Sequence, residues 1–223
     1  MRTYLFVVLW ACPTLFLSGQ TPEEDLNKVL QPLEDAPHLF YEATCYFFES
    51  GEKKPSDTLQ IRLHRNGGRE YRRIGRTEVL ETPGLVVMAD HDDRSVAVRS
   101  AEQEFTLPAA LDIAALKKLT EGRQVRVKRT APNTLTITSP DRPNENMTIR
   151  YDARSWALRE VAITAYDPFA APYEAPAGLV RVVVEFARFT TAPEPFRHGV
   201  SEYVKKSGDR YAATGKCKGY SVL

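Results

Sequence analysis

The side chains of this 223-residue chain that are able to do chemistry are few and scattered. Its four histidines, His38, His64, His91 and His198, fall on unrelated stretches. The acidic run Asp90, His91, Asp92 and Asp93 gathers carboxylates as a Ca²⁺ loop does. It lacks the glycine and the twelfth-position carboxylate of an EF-hand, and its place between two apolar segments makes it a polar turn. No Gly-x-Ser-x-Gly, His-Glu-x-x-His or glycine-rich phosphate loop occurs. The expectation is a protein that is not an enzyme, with no catalytic residue, no metal and no cofactor.

The three cysteines, Cys12, Cys45 and Cys217, are the remaining reactive groups. What they do depends on the first twenty residues. Arg2, an apolar run over residues 4–17 and then Ser18, Gly19 and Gln20 have the layout of a secretory signal peptide. The run falls short of the ~20 residues needed to cross a bilayer, and Pro13 interrupts it. We therefore expect export, with residues 1–20 removed; a minor alternative is a lipid anchor through Cys12. Cleavage leaves Cys45 and Cys217. Two cysteines in an exported chain favour one disulfide, which would close a loop of about 170 residues. Two separate buried thiols are the competing reading. No Cys-x-x-Cys spacing points to a metal.

Losing Arg2 leaves 29 of the 30 basic residues against 29 acidic ones. That balance argues against nucleic acid as a partner. Arg69, Arg72, Arg73 and Arg76 are interleaved with Glu70, Glu78 and Glu81, which reads as the solvated face of a strand pair.

The elements that must position these residues follow from periodicity. Thr21, Pro22 and Glu24 form a helix start with a capping box, and Leu26, Val29, Leu30 and Leu33 recur at helical spacing behind it. Aromatic-rich residues 39–48 then begin a β region. Leu59, Ile61 and Leu63 alternate with polar neighbours, and Asn66, Gly67 and Gly68 mark a hairpin turn. A second helix is expected over residues 108–122, where Leu111, Ala115, Leu116 and Leu119 form a stripe and Gly122 a stop. Strands then resume, with Val125, Val127, Leu135 and Ile137 on one buried face and the opposite face wet. Residues 166–178, rich in Pro and Ala, read as a long loop. The sum is ten to twelve short strands in an antiparallel meander. The fold class is mainly β with two helices (α+β), the sheet curled into an open half-barrel with both helices against its concave face.

This layout, together with the phrase MTIRYDARSWALREVAI around Tyr151, Asp152, Trp156 and Leu158, resembles the periplasmic outer-membrane lipoprotein carrier family (LolA-like, with LolB) over residues 21–199. The resemblance implies an unclosed barrel holding acyl chains in an apolar cavity, with residues 200–223 as a C-terminal extension packed on the same domain. It implies a lipid or lipoprotein acyl chain as partner and a peripheral, periplasmic protein. The inward residues would include Phe47, Leu59, Ile61, Val125, Val127, Leu135, Ile137, Val182, Val184 and Phe186. The alternative function is a scaffold in a cell-envelope protein assembly, for which the extension and the 166–178 loop offer docking places.

Overall fold

The structure, a computed structural model, describes residues 20–101, 124–166 and 179–223. The expected leader up to residue 19, the second helix at 108–122 and residues 167–178 of the long loop lie outside the described residues.

The first element is the expected helix, α1 (Pro22–Asp35). Its capping box is closed: the Glu24 amide donates to Thr21 Oγ1 at 3.2 Å, and the Thr21 amide to Glu24 Oε2 at 3.2 Å. Leu26, Val29, Leu30 and Leu33 are all buried. So short a helix depends on that packing for its stability.

Six strands follow: β1 (His38–Phe48), β2 (Asp57–Asn66), β3 (Arg69–Ile74), β4 (Thr77–Thr82), β5 (Leu85–Asp90) and β6 (Ser95–Ser100). The hairpin turn after β2 stands where Asn66, Gly67 and Gly68 predict it, with Gly67 at φ +59°. The second group is β7 (Arg126–Ala131), β8 (Thr134–Ser139), β9 (Arg142–Tyr151), β10 (Leu158–Tyr166) and β11 (Leu179–Thr190). The tail adds a hairpin, β12 (Val204–Ser207) with β13 (Arg210–Ala213), and a last short strand, β14 (Ser221–Val222).

One 12-stranded sheet has the order β14-β6-β5-β4-β3-β2-β1-β11-β10-β9-β8-β7. A single consecutive meander is therefore not what forms. Two meanders meet where β1 pairs with β11, the two longest strands, at the centre of the sheet. β14 joins β6 in parallel, and β14 and β7 are the two ends, so the sheet is open.

The sheet is also curled. Arg129 of β7 reaches the start of α1, and Arg65 of β2 donates to the Leu33 and Glu34 carbonyls at its end, at 3.0 and 3.3 Å. Laid flat, the gaps from β2 to β7 would span roughly 29 Å at ~4.8 Å each. The 14-residue helix is only about 21 Å long. The strands bend around α1, which occupies the concave side.

Alternation sorts the side chains to two faces. Leu39, Tyr41, Ala43 and Cys45 of β1 share the concave face with Ile61, Leu63, Val184 and Phe186, and these form one core with α1. Phe40, His64, Tyr71, Leu80 and Val87 are the cross-strand partners on the convex face. There Tyr71, Leu80, Val87, Ala89 and Val96 make a second core with Tyr203, Val204 and Cys217 of the tail. The expectation of one wet face holds over β7 and β8, where Lys128 is exposed and Thr136 and Thr138 are only partly buried. It fails over β3 to β6, because the tail covers their outer side. Glu78 is accordingly a buried carboxylate under the tail, and Glu70, on the opposite face, is buried between Arg65 and Arg72; neither belongs to a solvated strand face.

An apolar row on the concave face as the candidate functional site

Pairing registers place Phe47, Val182, Ile163, Met147, Ile137 and Val127 in one continuous row across β1, β11, β10, β9, β8 and β7. The next row inward is Cys45, Val184, Val161, Ile149 and Leu135. This inner row is sealed, with Val161 at 1% and Ile149 and Leu135 at 0% exposure. In the outer row Phe47, Val182, Ile163 and Val127 are only partly buried, as are the flanking Leu59 and Val125. The concave face thus grades from closed to partly open along the strands. The inner row is apolar from β1 to β8 and ends at Arg129 of β7, whereas the outer row is apolar from β1 to β7.

All ten residues expected to face inward belong to this core. Ile61, Leu135, Ile137, Val184 and Phe186 are buried in it; Phe47, Leu59, Val125, Val127 and Val182 pack at its margin. Sequence reading missed Met147 and Ile163, although Val161 and Ile163 alternate within β10 as a core-facing pair must. It also missed Phe189, which stacks on Tyr41 with centroids 6.2 Å apart.

Two polar clamps hold α1 over the closed rows. At its start, Asp25 is 2% exposed; its Oδ2 accepts from Arg129, whose Nε lies at 3.2 Å, and from the Tyr151 hydroxyl at 3.0 Å. The hydrogen bond to Asp25 raises the pKa of Arg129, and burial raises that of Tyr151. At its flank, Lys28 lies over the Trp156 ring at 4.9 Å, and Trp156 stacks on Tyr151 at 5.3 Å. Trp156 takes φ +59°, a conformation costly for a bulky residue. The turn is fixed by Asp152 Oδ1, which accepts from the Arg154 and Ser155 amides at 3.0 Å each. The phrase around Tyr151, Asp152 and Trp156 is therefore a docking turn for α1.

A third polar cluster ties the tail to the convex face. Glu78 Oε2 accepts from the Tyr203 hydroxyl and from Lys216 Nζ, both at 2.6 Å, while Oε1 lies 3.1 Å from His91 Nε2. Burial works against the Glu78 charge, but hydrogen bonds from Lys216, Tyr203 and His91 outweigh it and hold the carboxyl at about 2. Asp90 Oδ1 accepts from the Asp92 and Asp93 amides at 2.9 and 3.0 Å, so the acidic run is the polar turn expected. Among the described residues, no three His, Cys, Asp or Glu side chains converge as metal ligands.

The expected disulfide does not form: Cys45 and Cys217 are both free and buried. Cys45 is on the concave face of β1, and Cys217 lies in a short 3-10 turn (Gly215–Cys217) packed on the convex face. The sheet itself separates them. Burial raises the Cys45 thiol to about 11 and also pushes Cys217 upward, which leaves little of either as nucleophilic thiolate.

No family model matches the chain, and no curated protein does. It is similar to solved structures. A LolA superfamily protein from Nitrosomonas europaea matches at 10% identity and TM-score 0.33, covering 79% of this chain and 96% of that one. A chain of the Pseudomonas aeruginosa MucA/MucB complex matches at 13% identity and TM-score 0.32, over 79% of this chain and 59% of that one. A DUF1329 family protein from Desulfovibrio piger matches at 11% identity and TM-score 0.30, over 82% and 96%. The half-barrel itself rests on strand order, register and the position of α1.

Proposed function

We propose that this is an exported, periplasmic, non-catalytic protein that binds a lipid or lipoprotein acyl chain along the partly open apolar row of its half-barrel. Residues 21–199 form the binding domain in this reading, and residues 200–223 an extension packed on it. The observation that carries it is the continuous row Phe47, Val182, Ile163, Met147, Ile137 and Val127, closed at its inner side and partly open at its outer side. Each methylene moved from water onto such a surface gains about 0.8 kcal/mol, so an acyl chain needs concave apolar area and no reacting group. Export rests on the composition of residues 1–20. Among the described residues no helix is long and apolar enough to cross a membrane, which fits peripheral attachment.

An apolar fluorescent fatty-acid probe tests the reading. The wild type should take it up at one site, and Val182→Asp and Ile163→Asp should each lower affinity at least tenfold while circular dichroism stays unchanged. No uptake by the wild type points to the scaffold role instead.

A further inference from the structure

The segment of residues 191–199, between β11 and the 3-10 turn Val200–Glu202, lies across the convex side of β2 and β3. It is held at three points. Asn66 Nδ2 donates to the Glu194 carbonyl at 3.3 Å, Arg69 Nη2 donates to the His198 carbonyl at 2.7 Å, and Arg188 pairs with the Glu194 carboxylate. The rest of the contact is aromatic. His198 stacks on Tyr71 with centroids 3.6 Å apart and planes 5° apart. His64, on β2, meets Phe196 at 4.9 Å, Phe40 at 5.5 Å and His198 at 5.9 Å. Arg69 lies over Phe196 and Arg188 over Phe40.

Two imidazoles therefore sit side by side, and His64 is 5% exposed. Its Nε2 is buried with no hydrogen-bond partner. A neutral ring tolerates that nitrogen as a bare acceptor; a protonated ring would carry a buried donor with nothing to receive it. Charging both rings would also set two cations about 6 Å apart against aromatic faces already occupied by Arg69 and Arg188.

We infer that His64 and His198 form a proton-operated clasp, which keeps the 191–199 strap on the convex face while both rings are neutral and releases it when they charge. The groups facing them do not remove the conflict. Around His198 stand Tyr71, Glu78 of β4, and Glu202 and Lys216 of the tail; around His64 stand Phe40, Tyr71, Phe196 and Glu194. Burial lowers both histidines below their ordinary value; the Glu194 backbone and carboxylate beside His64 and the Glu202 carboxylate beside His198 offset it only in part. A lowered folded pKa means that the released form takes up protons first. The clasp therefore weakens as pH falls below about 6.5. Release would bare Phe40, Tyr71 and Phe196, a convex apolar patch distinct from the concave row.

Hydrogen exchange of peptides from residues 191–199, corrected for intrinsic rate, tests this in the full chain at pH 7.5 and 5.0. Protection should fall at least tenfold at the lower pH, and the H64F/H198F variant should keep its protection at both. Equal protection of the wild type at both pH values would overturn the clasp, as would the same fall in the variant. If the variant does not fold, imidazole NMR titration of the wild type decides: both rings titrating well below 6.5 supports the clasp, and titration at the ordinary value overturns it.

Discussion

Lys216 Nζ lies 2.6 Å from Glu78 Oε2, joining the tail to β4 across 138 residues of chain. The same carboxylate oxygen accepts the Tyr203 hydroxyl at 2.6 Å, and Lys216 Nζ lies over the Tyr203 ring at 4.1 Å. One buried acid thus organises two tail residues. Beyond it, β14 pairs with β6.

Glu78→Gln should loosen this latch by about 1–2 kcal/mol, since it removes the buried charge that Lys216 and the Tyr203 hydroxyl share while Glu202 still faces Lys216. The pH dependence has a definite direction. The folded carboxyl sits at about 2 against an ordinary 4.5, so the unfolded chain takes up the proton first. The contribution is complete above about pH 4.5 and is lost as pH falls toward 2. Urea midpoints measured from pH 6 to pH 3 should decline in the wild type and decline less in Glu78→Gln.

Gly215 gives an independent probe of the tail. It has φ +52°, and a Cβ there would run into the backbone carbonyl of Glu202. Gly215→Ala should displace the turn that buries Cys217, which is 0% exposed. Native thiol labelling should find Cys217 protected in the wild type and at least tenfold faster to react in the variant, with Cys45 still protected in both.

At the opposite face, Asp25→Asn should weaken the clamp on α1 by about 2 kcal/mol, and Tyr151→Phe by about 1 kcal/mol. Trp156 provides the readout, because its ring stacks on Tyr151 and lies under Lys28 of α1. Its emission should shift on loosening of the helix in Asp25→Asn. An unchanged emission and unfolding midpoint would mean that α1 is held by its apolar stripe and the Arg65 contact at its end, without the Asp25 clamp.

The local parts of this architecture are legible in the sequence because local chemistry dictates them. Thr21 and Glu24 cap α1 through contacts three residues apart, and Asn66 to Gly68 turn a hairpin by their own backbone preference. The ten residues that the family resemblance marks as inward lie in or against one apolar core, because strand alternation sorts side chains to two faces. What was not legible depends on contacts between distant segments. Nothing near Cys45 or Cys217 tells which side of a sheet each will occupy, and composition alone pairs them. Likewise the β1–β11 pairing, which breaks the meander, joins strands more than a hundred residues apart. Glu70 and Glu78 look like surface charges until the tail and Arg65 are in place around them.

Acyl-chain binding along the outer row is tested most directly by native mass spectrometry of the protein, gently purified from its own cells, followed by lipid extraction. A bound species of acyl-lipid mass should appear at about one per chain and be lost on Val182→Asp substitution in the outer row. A wild-type chain that emerges at its bare mass, and that also leaves the fatty-acid probe in solution, would contradict it.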